Sequence, residues 1–167
     1  MTGDGRWRAW MDEKRKGGAP IASVLFVCTG NICRSPTAEG VLRQLASKKG
    51  MALRVESAGT HGYHVGEAPD ERAQHHARRR GYDLSAQRAR RVAARDFEEF
   101  DLILAMDRDH LAILGRACPA EHRHKVRLLV DGRDVPDPYY GGPEGFEHVL
   151  DLVEAACREL LAGLATS

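Results

Sequence analysis

The stretch Ile21-Ala22-Ser23-Val24-Leu25-Phe26-Val27 is apolar along most of its length and runs without a break into Cys28. A strand wetted on one face alternates apolar and polar residues, so this run predicts a strand covered on both faces, at the centre of a parallel sheet. Just beyond Arg34, Pro36 suits the first turn of a helix, and Val41, Leu42 and Leu45 supply that helix with an apolar stripe. The same alternation continues down the chain. Residues 53–57 read as a second strand, broken by Ala58-Gly59-Thr60, and residues 70–80 have helical spacing stopped by Gly81. Residues 100–105 form another apolar strand, after which Asp107 can cap a helix carrying Leu111 and Leu114. A fourth strand at 126–130, a Gly-, Pro- and Asp-rich loop at 131–142 and a long helix from about 144 to 161 complete the order.

Strands alternating with helices predict an α/β fold: a single-domain, open, four-stranded parallel sheet with helices on both faces. In such folds ligands bind beyond the carboxyl ends of the strands, where both Cys28 and the loop 131–142 fall. At 167 residues the chain has room for one compact domain with a core of its own. The expected division is a flexible polar tail at residues 1–19, with at most a short helical stretch at 7–11, and a domain at 20–165. The tail carries Arg6, Arg8, Lys14, Arg15 and Lys16 without the apolar run of a signal peptide.

Charge excludes some functions. Lys and Arg total 25 against 24 for Asp and Glu, so no global field draws the chain to a polyanion, and any anion must be captured locally. The runs Arg78-Arg79-Arg80 and Arg88-Ala89-Arg90-Arg91 lack interleaved aromatics and read as solvated faces, so no nucleic-acid partner is expected. No segment approaches the roughly 18 apolar residues of a membrane span, so no membrane partner is expected either. Four irregularly spaced cysteines, Cys28, Cys33, Cys118 and Cys157, do not form a disulfide framework, which points to a reducing, cytoplasmic setting. His75-His76 and His122-Arg123-His124 lack zinc-ligand spacing and read as surface histidines, so no metal is expected. Neither G-x-x-x-x-G-K-[ST] nor G-x-G-x-x-G occurs, and no cofactor is expected.

What remains is Cys28-Thr29-Gly30-Asn31-Ile32-Cys33-Arg34-Ser35, a loop between a strand and a helix N-terminus. Backbone N–H groups turned inward there, together with the helix dipole, favour an anion, and Gly30 would let the loop turn tightly. Arg34 can close the far side with a planar fork that makes paired bonds to phosphate oxygens, a geometry lysine lacks. The same donors favour a thiolate at Cys28, whose charge replaces the missing phosphate, and Ser35 can donate its hydroxyl to that thiolate. Asn31 can hold the loop in shape through backbone bonds. A buried, inert Cys28 in a structural turn is the competing reading of these residues.

A thiolate expels an alkoxide or phenolate poorly without a proton donor, so a carboxylic acid should face the cradle. Asp137, stiffened between Pro136 and Pro138, is the best candidate, with Asp134 a less constrained competitor.

Taken together, these stretches closely resemble the low-molecular-weight protein tyrosine phosphatases. The resemblance covers roughly residues 19–164 and rests on Val27 to Pro36, on Asp137-Pro138-Tyr139-Tyr140, and on Ser57-Ala58-Gly59-Thr60, Asp83-Leu84-Ser85 and Leu104-Ala105-Met106-Asp107. It implies that phosphotyrosine in a protein or peptide is hydrolysed through a phosphocysteine, with inorganic phosphate and other oxyanions as inhibitors. Cys28 becomes the nucleophile, Arg34 the phosphate-binding residue, Ser35 the thiolate partner and Asp137 the general acid and base. Tyr63, Tyr139 and Tyr140 become the walls of a groove deep enough to admit a phenyl phosphate. Cys33 becomes a redox partner that captures oxidised Cys28 as a disulfide. Two departures from the family, His61 and His110, are expected to leave the chemistry untouched but to be able to alter loop contacts or substrate preference. Three other readings share the scaffold or the cradle. An arsenate reductase needs a relay of further cysteines, a phosphoarginine phosphatase tends to carry Thr where Ile32 stands, and a non-catalytic phosphoprotein-binding module could dispense with Cys28 or Asp137.

Overall fold

A computed structural model describes residues 20–165, so the tail at 1–19, with the helical stretch expected in it, lies outside the described residues. The elements run β1 (Ser23–Cys28), α1 (Arg34–Lys48), β2 (Arg54–Gly59), α2 (Glu71–Arg79), α3 (Ala94–Glu99), β3 (Leu102–Ala105), α4 (Arg108–Ala117), a 3₁₀ turn (Ala120–Lys125), β4 (Val126–Leu128) and α5 (Pro143–Ala165). All strands pair in parallel in the order β2-β1-β3-β4. The chain therefore works outward from β1 to one side and then to the other, and the connections diverge between the carboxyl ends of β1 and β3. That divergence opens a crevice at the strand ends.

The uninterrupted apolar run of β1 has the reason inferred for it. Val24, Phe26 and Cys28 face one core, with Val41 and Leu42 of α1, Ala73 and Ala77 of α2, and Phe146, Leu150 and Val153 of α5. Leu25 and Val27 face the other, with Phe97 of α3, Phe100, and Leu114 of α4. β3 alternates in the same way, Leu102 and Leu104 against Ile103 and Ala105. Each large side chain buried this way contributes about 1.5–3 kcal/mol, and together they fix β1 and β3 as the rigid floor of the crevice.

Helix ends follow local chemistry. Asp70 caps α2 by accepting from the N–H groups of Arg72 (2.8 Å) and Ala73 (3.4 Å), and Gly81 just past its end has φ of +90°. Asp107 caps α4, as its position predicted, by accepting from His110 N–H at 3.0 Å. Two elements have no counterpart in the sequence reading, α3 and the 3₁₀ turn. Both are six residues long and rich in charge, too short to display a period. Lys125 in the 3₁₀ turn donates to the carbonyls of Phe97 (2.8 Å) and Glu98 (3.2 Å), joining the two across the sheet edge. β4 ends at Leu128 instead of residue 130, and α5 extends past residue 161 to Ala165.

His76 is not a surface histidine. It is 8% exposed, bonded to Glu147 and stacked on Phe146 with ring centroids 5.4 Å apart. Arg80 bonds the same Glu147 (2.7 Å) and Glu154 (2.6 Å), so a polar cluster ties α2 to α5.

Candidate active site

Cys28 ends β1 and is only 3% exposed, with its Sγ 3.0 Å from Ser35 Oγ at the start of α1. Between them the loop passes through Asn31, whose φ is +60°. The left-handed residue is thus Asn31 and not Gly30. At Gly30 a Cβ would lie 2.8 Å from the ring of His64, a part-exposed side chain able to turn aside. Asn tolerates this conformation when its side chain is bonded locally, and here every amide position is engaged. Oδ1 accepts from Arg90 N–H at 2.9 Å, while Nδ2 donates to Ser35 Oγ (2.8 Å) and Ser57 Oγ (2.9 Å). Ser57 in turn donates to Glu39 Oε1 at 2.7 Å.

Counting donors fixes the direction of this chain. Asn31 spends both of its protons on the serine oxygens, and Ser57 spends its own on Glu39. The Ser35 proton then has two acceptors in reach, the Ala58 carbonyl at 3.4 Å and Cys28 at 3.0 Å, and a thiolate, nearer and charged, is the stronger of the two. Burial raises the Glu39 carboxyl above its ordinary range, against the opposing pull of Ser57 and of Arg43, which pairs with it at 2.7 Å.

Arg34 is 4% exposed and is aimed before any ligand arrives. Its Nη1 donates to Asp107 Oδ2 (2.8 Å) and to the Val135 carbonyl (3.0 Å), and its Nη2 lies 3.8 Å from Asp137 Oδ2. Asp107 serves two masters, one oxygen capping α4 and the other holding Arg34. Burial alone would raise its carboxyl, but the His110 N–H and Arg34 outweigh it and hold the group below its ordinary range. Val135 N–H donates to the Met106 carbonyl at 2.8 Å, so the loop bearing Asp137 is pinned to the end of β3. Loops separated by a hundred residues thus meet at one guanidinium.

These groups open on a cleft of about 210 Å³. Cys28, Thr29, Gly30, Ile32, Cys33 and Arg34 line it together with Asp137, Tyr63, Tyr139 and Tyr140. Asn31 and Ser35 lie behind the loop in supporting positions. Tyr63 stacks flat on His61 with centroids 5.1 Å apart, and Tyr139 meets Tyr140 edge-on at 5.0 Å. Asp134, the competitor for the acid role, faces away and accepts from Arg108 N–H at 3.0 Å. Two further groups enter the site that the sequence reading left out: His64 lines the cleft, and Arg72 lies over the Tyr139 ring, 5.2 Å from its centroid.

The cysteines divide by place. Burial pushes the Cys33 thiol well up, with Asp70, Cys28 and Asp137 adding to the effect. All four cysteines are free, but Cys118 packs in the core beside α4 and Cys157 in the core on the opposite face of the sheet. The two lie in separate cores and so form no closely spaced pair of the kind an arsenate reductase uses as a relay. Among the described residues no cluster of His, Cys, Asp or Glu is arranged to hold a metal, and no helix is long and apolar enough to cross a membrane.

Residues 23–167 match the family described as low molecular weight phosphotyrosine protein phosphatase. A putative low molecular weight protein-tyrosine-phosphatase of the cyanobacterium Synechocystis is 47% identical over 150 residues, covering 84% of this chain and 95% of its own length. The solved protein tyrosine phosphatase of Entamoeba histolytica, with Hepes in its active site, superposes with a TM-score of 0.84 at 39% identity, covering 87% of this chain and 97% of that one. Wzb of Vibrio vulnificus in complex with benzylphosphonate superposes with a TM-score of 0.77 at 31% identity, covering 88% and 99%.

Proposed function

The chain belongs to the low molecular weight phosphotyrosine protein phosphatase family, and from that premise we propose which of its residues carry each step of the reaction. It is a cysteine-dependent enzyme that hydrolyses phosphotyrosine. The observation that carries the assignment is the meeting of Cys28, Arg34 and Asp137 in one cleft, with Arg34 Nη2 3.8 Å from Asp137 Oδ2.

A phosphotyrosine side chain enters between Tyr63, Tyr139 and Tyr140, and its phosphoryl oxygens take up the loop N–H groups and the fork of Arg34. The Cys28 thiolate attacks phosphorus, the bond to the phenolic oxygen breaks, and Asp137 in its acid form gives that oxygen its proton. Arg34 and the loop donors stabilise the equatorial oxygens as charge gathers on them. Asp137, now a carboxylate, takes a proton from water as the water oxygen attacks the phosphocysteine. The S–P bond breaks, the thiolate returns to the Ser35 hydroxyl, and inorganic phosphate leaves. Phosphate and other oxyanions therefore compete with substrate for the cradle.

Depth supports the preference for tyrosine. With Cys28 3% exposed at a cleft lined by Tyr63, Tyr139 and Tyr140, a phenyl ring spans the distance that the short serine side chain does not. We assign Cys33 the protective role of capturing oxidised Cys28, supported by its place in the same loop. Free thiols at all four cysteines support a reducing, cytoplasmic compartment.

The deciding experiment measures phosphate release from peptides phosphorylated on tyrosine, serine or arginine, with arsenate reduction assayed alongside. Release from phosphotyrosine alone, abolished in Cys28→Ser, is the expected result. Turnover of Cys28→Ser near the parent rate would remove Cys28 from the mechanism, and faster release from phosphoarginine would reassign the substrate.

A further inference from the structure

His110 stands apart from the residues that face substrate, yet it touches the machinery from behind. It is 2% exposed, and its Nε2 lies 2.7 Å from Oγ1 of Thr29, the residue that follows Cys28 in the cradle. Its backbone N–H is bonded to Asp107 Oδ1, the carboxylate whose other oxygen holds Arg34. One residue therefore contacts both halves of the anion site, the loop and the arginine's anchor. A second cavity of about 450 Å³ lies on this rear side, lined by Thr29, His61, Asp107, Asp109, His110 and Arg116 among others. The cradle thus has space behind Thr29, where the His110 contact is the direct side-chain bond to its hydroxyl.

Resting on the reading of the cleft given above, we propose that His110 is a positioning residue: a neutral strut that accepts the Thr29 hydroxyl proton and so holds the cradle in register with Arg34. The direction of the bond follows from the other ring nitrogen. Nδ1 is buried, 3.1 Å from Asp107 Oδ1, and off the line of a proper hydrogen bond. A bare lone pair there would face carboxylate lone pairs, so the ring proton sits on Nδ1, where it meets negative charge. Nε2 is then the acceptor and Thr29 the donor. Charge on the ring is disfavoured by burial first and by Arg34 second, which together hold its pKa down to about 4 against the opposing pull of Asp107, Asp109 and Asp137. His61 and Arg116 share the rear cavity, and neither supplies an anion that would reverse this balance.

The consequence is that the loop is braced from a surface substrate never touches. Without the acceptor, the Thr29 hydroxyl seeks a new partner, and the loop donors drift relative to the Arg34 fork. The loss falls on oxyanion binding and on kcat together, since both use the same donors.

The test replaces His110 and Thr29 separately and together. Gln places an acceptor oxygen near the position of Nε2, whereas Leu fills the space without one. His110→Leu should lower kcat about tenfold and weaken inhibition by inorganic phosphate by a similar factor, the value of about one buried hydrogen bond. His110→Gln should stay within about threefold of the parent. Thr29→Val should match His110→Leu, Thr29→Ser, which keeps the hydroxyl, should lose clearly less than Thr29→Val, and the double variant His110→Leu/Thr29→Val should lose no more than either alone. Long-range proton–nitrogen NMR should show His110 protonated on Nδ1 only at pH 7. Additive losses in the double variant, or His110→Leu within twofold of the parent in both kcat and phosphate inhibition, overturn the proposal. An Nε2-protonated ring does the same. If His110→Leu does not fold, Thr29→Val against Thr29→Ser decides it, and equal losses in the two overturn it. Failure of the parent itself to release phosphate from phosphotyrosine would instead strike the reading of the cleft.

Discussion

At the scale of single residues, the site works because its donors are already spoken for. Arg34 is held on one nitrogen by Asp107 and Val135, which leaves the other edge of the fork turned toward Asp137 and the cleft. Arg34→Lys keeps the charge but cannot satisfy Asp107, Val135 and a phosphate at once, and kcat should fall about a hundredfold. A kcat within twofold of the parent would show that charge alone suffices. Asp137→Asn should slow release of a basic phenol far more than release of an acidic nitrophenol, since only the former needs a proton to leave. Equal losses on both leaving groups would take the acid role away from Asp137. Cys28, Asn31, Arg34 and Ser35 could be read as one site because they share one short loop, and Asp137 because two prolines flank it. Asp107 was legible as a helix cap but not as the partner of Arg34, because that bond spans 73 positions. His110 was legible as a residue able to alter loop contacts, but its partner Thr29 was not, because their bond spans 81 positions. Identity and spacing display local roles, whereas these contacts exist only once the strands are in order.

Elements place these residues by how their ends abut. Gly59 closes β2 opposite Cys28, and a Cβ on it would lie 2.6 Å from the Thr29 carbonyl and 3.0 Å from that of His61. Both neighbours are backbone, so the clash cannot be relieved by a rotamer. Gly59→Ala should cost about 1–3 kcal/mol of stability and displace the cradle, lowering kcat and Tm together. Unchanged activity with lowered Tm would mean that the strand end gives way without moving the loop. The order of elements was readable because β1, β3 and α5 carry long apolar patterns. The polar contact between α2 and α5 was not: in a stretch as charged as Glu71–Arg79, His76 looks like part of a wet face, and its partner Glu147 is 71 positions away.

For the whole molecule, burying a neutral histidine makes stability depend on pH. His110 has an ordinary value of 6.5 and about 4 when folded, so between those values the unfolded chain takes up a proton that the folded one refuses. Its contribution is complete above about pH 6.5 and drains away as pH falls toward 4, on the order of 3 kcal/mol across the window. Thermal melts of His110→Gln should therefore fall less steeply than the parent's between pH 7 and pH 4.5, and parallel curves would assign the acid sensitivity to other groups. The placing of the tyrosines has a practical consequence of another kind. Of the four in the chain, Tyr63, Tyr139 and Tyr140 line the cleft, and Tyr82 is 4% exposed, its hydroxyl donated to Glu154 of α5. Protein grown with 3-fluorotyrosine carries four fluorine nuclei, three at the mouth and one sealed in the interior as an internal standard. Titration with a phosphonate should shift the three and leave the fourth in place, reporting occupancy of the mouth without a turnover assay.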